Sequence, residues 1–157
     1  MEYWQIAAGD GSVDMVDIFL KLKIALVGPG REGDYFDNKS AYEKMDRDGR
    51  LVRRFAEDVK IGDIFVLKHI IHPQDKIWRV YAVGMVAGPY RYEPIFDRVD
   101  SYQWDVQHCR RVLWKVPKDE LTVKYGGAPI RLQRMESDNP LKKIADKVLR
   151  GKIELVE

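Results

Sequence analysis

Aromatic side chains grouped in loops are the residues of this chain best suited to chemistry. Tyr35 and Phe36 stand side by side in the stretch Arg31–Asp37, flanked by Asp34 and Asp37. Tyr90 and Tyr92 bracket Arg91 just after Gly88-Pro89, and Tyr102 and Trp104 follow in a polar stretch next to Asp105. Rings held on loops can stack on a flat ligand, each contributing about 1–3 kcal/mol when that ligand is a nucleic-acid base. A carboxylate accepts hydrogen bonds only, so Asp34 or Asp105 could take one from an exocyclic amine. The pattern predicts a pocket of Tyr35, Phe36, Tyr90, Tyr92 and Trp104, with Asp34 or Asp105 at the ligand's edge. Lys23, Arg31, Arg91, Arg98, Arg110 and Arg111 are the candidates for phosphate contacts outside it.

Residues that break bonds do not group in the same way. His69, His72 and His108 are scattered. His69 and His72 lie three apart on a segment that reads as extended, which puts the rings on opposite faces, so no metal site with Asp75 is expected. Cys109 neighbours His108, but sequence neighbours on a strand face apart and make no nucleophile–base pair. Gly28-Pro29-Gly30 lacks the Gly-Lys-Ser/Thr ending of a phosphate loop. These readings point to a binding module with no catalytic residue, metal or cofactor.

Composition narrows the class further. The chain has 157 residues, of which 45% are hydrophobic, enough for one domain over residues 1–157 with its own core. A net charge of only +2 means that any affinity for nucleic acid must come from a local patch. The single cysteine excludes a disulfide framework and fits a reducing interior. No apolar run approaches the roughly 20 residues that span a bilayer. The expected location is the cytoplasm, with no membrane partner.

The elements that must position the loops follow from periodicity. Glu2–Ala7 reads as a short strand, and Ser12 as the cap of a helix through Lys21, with Val13, Val16, Phe19 and Leu20 on one face. Residues 24–27 form a second short strand ending at Gly28-Pro29-Gly30. Helix signals run from Asn38 to Asp58, with a split expected at Asp48-Gly49. Residues 64–71 are nearly all apolar and predict a central strand. Residues 77–86 alternate, with Trp78, Val80, Ala82, Gly84 and Val86 on one side and a bend expected at Gly84. Residues 90–107 read as a long loop and residues 108–116 as a strand with Val112, Trp114 and Val116 inward. Trp4, Trp78 and Trp114 alternate with apolar neighbours and read as core. Short strands are candidates near 123–127, 130–135 and 153–156, and Pro140 opens a helix through Leu149. Strands that do not alternate regularly with helices argue for an α+β fold with a curved or closed mixed sheet of five or six strands.

The order of these motifs resembles the PUA-like superfamily, and within it EVE and YTH domains. Tyr3-Trp4 on the opening strand, Val59-Lys60-Ile61-Gly62-Asp63 before the central strand, and Tyr81-Ala82-Val83-Gly84-Met85-Val86 leading into a variable loop carry the likeness over about Met1 to Trp114. The Arg-rich strand beside GPYRY also resembles the base-reading N-terminal domains of McrB-type modification-dependent restriction systems. The resemblance implies a PUA-like curved barrel with flanking helices. It also implies a nucleic-acid reader, DNA favoured over RNA, that flips a methylated base into an aromatic pocket, with any motor or nuclease outside this chain. YTH domains place a Trp directly after the second strand. Here Val27-Gly28-Pro29-Gly30 stands there, so that wall must come from Tyr35 or Phe36. An RNA-processing relative of ASCH type and a protein-interaction domain are the alternatives.

Overall fold

The computed structural model describes residues 1–9, 14–97 and 105–157. Eight strands appear in it: β1 Tyr3–Ile6, β2 Ile24–Val27, β3 Ile64–His72, β4 Ile77–Val86, β5 Arg91–Tyr92, β6 His108–Lys115, β7 Leu121–Lys124 and β8 Leu132–Arg134. Four α-helices accompany them: α1 Val16–Leu22, α2 Lys39–Glu43, α3 Asp46–Arg53 and α4 Pro140–Leu149. The sheet runs β2-β6-β4-β3-β1-β8, with β5 added to β6 and β7 to β4. β1 and β3 are parallel, and the other pairs are antiparallel. The protein is thus α+β with a curved mixed sheet. Six strands form its main path, and the two short additions raise the count above the five or six expected. Among the described residues β2 and β8 remain edges, so the sheet curls without closing.

Both faces of the sheet are covered, which is why the central strands read as continuous apolar runs. Trp4, Ile6, Phe65, Leu67, Ala82 and Val112 point inward and meet Phe19 of α1 and Phe55. Tyr3, Ile64, Val66, Val83 and Val80 point outward beneath Leu141, Ala145 and Val148 of α4. A π-helical turn, Arg54–Asp58, follows α3 and links the edge strand β8 to β6 across the curl. Arg54 Nη1 donates to Leu132 O of β8 at 2.7 Å, while Phe55 O and Ala56 O accept from Arg110 of β6 at 3.0 Å each.

The Ile61-Gly62-Asp63 turn holds the start of the chain. Asp63 accepts from the Glu2 amide at 2.9 Å, the Trp4 indole at 3.0 Å and the Lys60 amide at 2.9 Å. Gly62 sits at φ 95°, a region that disfavours side chains. Two of the three segments on which the resemblance rests are therefore bonded partners, 59 residues apart for Trp4 and Asp63.

Several expectations change. Helix α1 begins at Val16, where the Asp14 carboxylate accepts from the Val16 amide at 2.9 Å, and the expected cap Ser12 lies outside the described residues. The break between α2 and α3 falls at Lys44–Met45 and Asp46, which has φ 48°, not at Asp48-Gly49. Gly49 is instead inside α3, where a Cβ would lie 1.8 Å from Tyr42 O, so its role is close packing. The alternation of β4 breaks between Val80 and Ala82, because the register with β3 slips there and leaves Tyr81 unpaired. Trp78 and Val80 consequently face outward and Ala82 and Val86 inward. The bend expected at Gly84 is not where the irregularity lies. Residues 153–156 contribute only a single bridge, Pro117 to Leu155. No helix of the described residues is long and apolar enough to cross a membrane.

Candidate functional site

The loops leaving the ends of β2 and β4 meet the start of β6 at one rim. Gly30 donates from its amide to Asp105 Oδ1 at 3.0 Å, tying the turn after β2 to the segment before β6. Arg91 and Tyr92 form β5 because they pair with Cys109 and His108. A register so short would fray alone, but its side chains are held: Tyr92 donates to Gly30 O at 2.5 Å.

His108 is the centre of the group, fully buried among Tyr42, Tyr90 and Tyr92, whose ring centroids lie 5.2, 5.6 and 5.7 Å from its own. Its Nε2 is 2.8 Å from Pro29 O, which can only accept, so Nε2 carries the proton. Its Nδ1 must then accept from the Tyr90 hydroxyl at 2.6 Å. That hydroxyl accepts in turn from the Tyr35 amide at 2.9 Å. Burial is the main cause that pushes the His108 ring down to about 4, so it is neutral at physiological pH. Burial also raises the Tyr90 and Tyr42 phenols above their ordinary value. The chain Tyr35 amide, Tyr90 hydroxyl, His108, Pro29 carbonyl fixes each ring in one orientation without any net charge.

Four of the five predicted pocket aromatics come together here. Tyr35 lies 5.2 Å from Phe36, and Phe36 5.5 Å from Tyr90, both edge-on. These rings touch one another and leave no base-wide slot between them. Tyr35 is 2% exposed, with its hydroxyl on Glu57 at 2.9 Å, so it supports the rim from below and is not a wall facing a ligand. Phe36 is half exposed, and Tyr90 and Tyr92 are partly so. Trp104, like Tyr102 and Arg98, lies outside the described residues. Asp34 accepts from the Phe36 and Asp37 amides at 2.8 and 3.3 Å, turning the loop so that Phe36 projects. Asp105 faces Arg31 at 3.8 Å.

The expected phosphate contacts separate into three groups. Arg31 and Arg91 are exposed at the rim, Arg91 beside Glu93. Lys23 and Arg111 are exposed at the other end of β2 and its partner stretch of β6. Arg110 does not reach solvent at all. It is 4% exposed, and its guanidinium donates to Phe55 O, Gly88 O, Ala56 O and Val59 O at 2.8–3.3 Å. Two of those belong to the π-helical turn and a third, Val59 O, to the residue that follows it, so Arg110 caps that end and is not placed to meet a phosphate.

Sequence reading missed Tyr42, His108 and Glu57 as members of the group. A signal existed for His108: it opens an alternating strand on the face that Arg110 and Val112 share, and that face is buried. Tyr42 carried none, because its partners are distant in sequence. Among the described residues no three His, Cys, Asp or Glu side chains are arranged to hold a metal. Cys109 is buried, and its thiol is pushed up to about 11, chiefly by burial.

Fold and site together define an α+β protein whose curved mixed sheet carries an aromatic rim at one end. The model of the family described as Domain of unknown function (DUF8426) matches residues 4–128, and the chain belongs to that family. It is similar in structure to a hypothetical protein from Leishmania major, at 12% identity and a TM-score of 0.51 over 97% of each chain. Two further solved structures are similar to it at lower scores. A protein of Agrobacterium tumefaciens has 12% identity over 94% of this chain and 93% of its own, with a TM-score of 0.48. One of Pseudomonas syringae has 13% identity over 93% of this chain and 99% of its own, with a TM-score of 0.47. No curated protein matches the sequence.

Proposed function

We propose that this chain is a nucleic-acid-binding reader of the PUA-like, EVE/YTH type. It seats a flipped, methylated base at the rim of Phe36, Tyr90 and Tyr92, and serves as the DNA-recognition part of a modification-dependent restriction system. The observation that carries the reading is the convergence of three separate loops, at Tyr35-Phe36, Tyr90–Tyr92 and Asp105–His108, on one neutral, fully bonded aromatic group. Because the Tyr90 and Tyr92 hydroxyls are engaged inside the protein, they offer ligands ring surface. Flipping a base costs a few kcal/mol and one aromatic face returns about 1–3 kcal/mol, so a base laid on the outer side of the rim needs a second stacking face beyond the three rings that touch one another. Exposed Arg31 and Arg91 flank the rim as phosphate contacts. The chain acts by binding, without a catalytic group of its own.

The test is fluorescence anisotropy with methylated and unmethylated oligonucleotides, single- and double-stranded, over a range of salt. Preference for the methylated probe and a log–log salt slope near −0.9 per duplex phosphate neutralised are expected. Binding that ignores both salt and methylation would overturn the proposal.

A further inference from the structure

A cavity lies at the opposite end of the sheet from the aromatic rim. It has a volume of about 1020 Å³ and shares no residue with the rim. Its walls are the end of β1, the turn of the β3–β4 hairpin and the loop 125–131. Among the described residues Lys68, Lys76, Arg131 and His69 line it, with Asp14 as the acid.

Lys68 is the telling residue. It points outward from β3, is 3% exposed, and stands 4.7 Å from the centre of the Trp78 ring. Its ammonium donates to Ala128 O at 2.5 Å and Ile130 O at 3.1 Å. An ammonium has three donors, so one remains without a protein acceptor among the described residues. No carboxylate of the described residues forms an ion pair with it. Buried cations are normally paired, and this one lines a cleft with no ion pair among the described residues. Burial lowers it to about 8, which leaves most of the population charged at neutral pH. At the mouth of the same cleft Tyr125 is 53% exposed, and its amide donates to Lys76 O at 2.8 Å. The backbones of two exposed residues, Tyr125 and Lys76, thus meet at the mouth, and buried Lys68 lines the same cleft.

We infer that this cleft binds a small phosphorylated ligand of nucleotide type, its phosphate held between Lys68 and Lys76 and its ring laid on Tyr125. The volume exceeds what a bare anion needs and matches the upper range of small-ligand pockets. A phosphate supplies the acceptors that the spare ammonium donor lacks. A planar base completes the contact on Tyr125, whose ring centre lies 5.3 Å from the Lys124 ammonium. The site does not depend on the reader function at the other end.

Titration calorimetry of the full chain with adenosine 5′-monophosphate tests this, with adenosine and inorganic phosphate as separate probes. The monophosphate should bind more tightly than either part alone. Lys76→Glu and Tyr125→Ala, both at exposed positions, should each weaken it by about tenfold or more. Phe36→Ala at the aromatic rim should leave it unchanged. Circular dichroism of each variant keeps misfolding from imitating the result. The inference is overturned if the monophosphate does not bind, if adenosine or phosphate alone binds as well, or if Phe36→Ala is the variant that weakens it.

Discussion

The two ends of the sheet each bury a cation without a carboxylate partner among the described residues, and they treat it differently. Arg110 near the aromatic rim meets four backbone carbonyls, and its planar fork matches the carbonyls that a helical turn leaves unpaired at its end. Lys68 at the other end meets two carbonyls and borders open space. Burial lowers both, Arg110 to about 10 and Lys68 to about 8. Desolvation is therefore common to the pair, each keeps one N–H without a partner among the described residues, and what differs is the number of carbonyls met and what lies beyond them. Arg110 is enclosed by four carbonyls and is structural. Lys68 meets two and lines a cleft, which makes it a place for a ligand.

The sharpest way to break this comparison is to remove both cations in turn. Because the relief from removing a buried charge is shared, the difference between Arg110→Met and Lys68→Met reports the number of carbonyls orphaned. Each orphaned buried carbonyl costs about 1–3 kcal/mol. Arg110→Met should lower unfolding stability by at least about 2 kcal/mol more than Lys68→Met does, measured by chemical denaturation. Equal losses would mean that the carbonyls are satisfied in some other way, and the contrast would collapse.

Much of this was legible in sequence, and the parts that were not share a cause. The strands at 24–27 and 77–86 and the helix at 140–149 follow from local pattern and punctuation, and the structure places them at those residues. The rings at 35–36 and 90–92 converge because each loop leaves a strand end on the same side of the sheet. Arg110 could not be read correctly. Its alternation with Arg111 told only that one of them faces inward. The acceptors that let an arginine face inward belong to a turn more than 50 residues away. The register slip at Tyr81 was hidden for a similar reason, since it arises from pairing with β3 and not from any glycine in β4. Pairing of distant backbones, unlike local periodicity, leaves little trace in one sequence.

A second prediction concerns the neutral centre of the rim, and its sign follows from linkage. The unfolded His108 ring takes a proton near 6.5, whereas the folded one resists until about 4. Between those values the unfolded state binds more protons, so this group's contribution falls as the pH falls from about 6.5 to about 4. The loss approaches roughly 3 kcal/mol at the lower end. Nuclear magnetic resonance of the His108 ring protons should show no titration in the folded protein until the pH nears 4. A ring that titrates near 6.5 would show that the rim is wet and charged, unlike the closed centre described above.

The smallest effect on the fold is expected from Phe36, and it is the most informative about the rim. Half of the side chain is exposed, and its contacts are edge-on to Tyr35 and Tyr90, which hold their own hydrogen bonds to Glu57 and His108. Phe36→Ala removes apolar surface that is already half in water, so it should change unfolding stability by less than about 1 kcal/mol. If the rim takes a base, the same substitution deletes one stacking face and should weaken methylated-oligonucleotide binding by about tenfold. A structural aromatic would behave the other way round, with a larger loss of stability and unchanged binding. Tyr35→Phe, which removes the hydroxyl from Glu57 and leaves the exposed rings alone, serves as the contrast. It should lower stability by about 1 kcal/mol and leave oligonucleotide affinity where it was. Should Tyr35→Phe weaken binding as much as Phe36→Ala does, the assignment of Phe36 as a wall and Tyr35 as its support would fail.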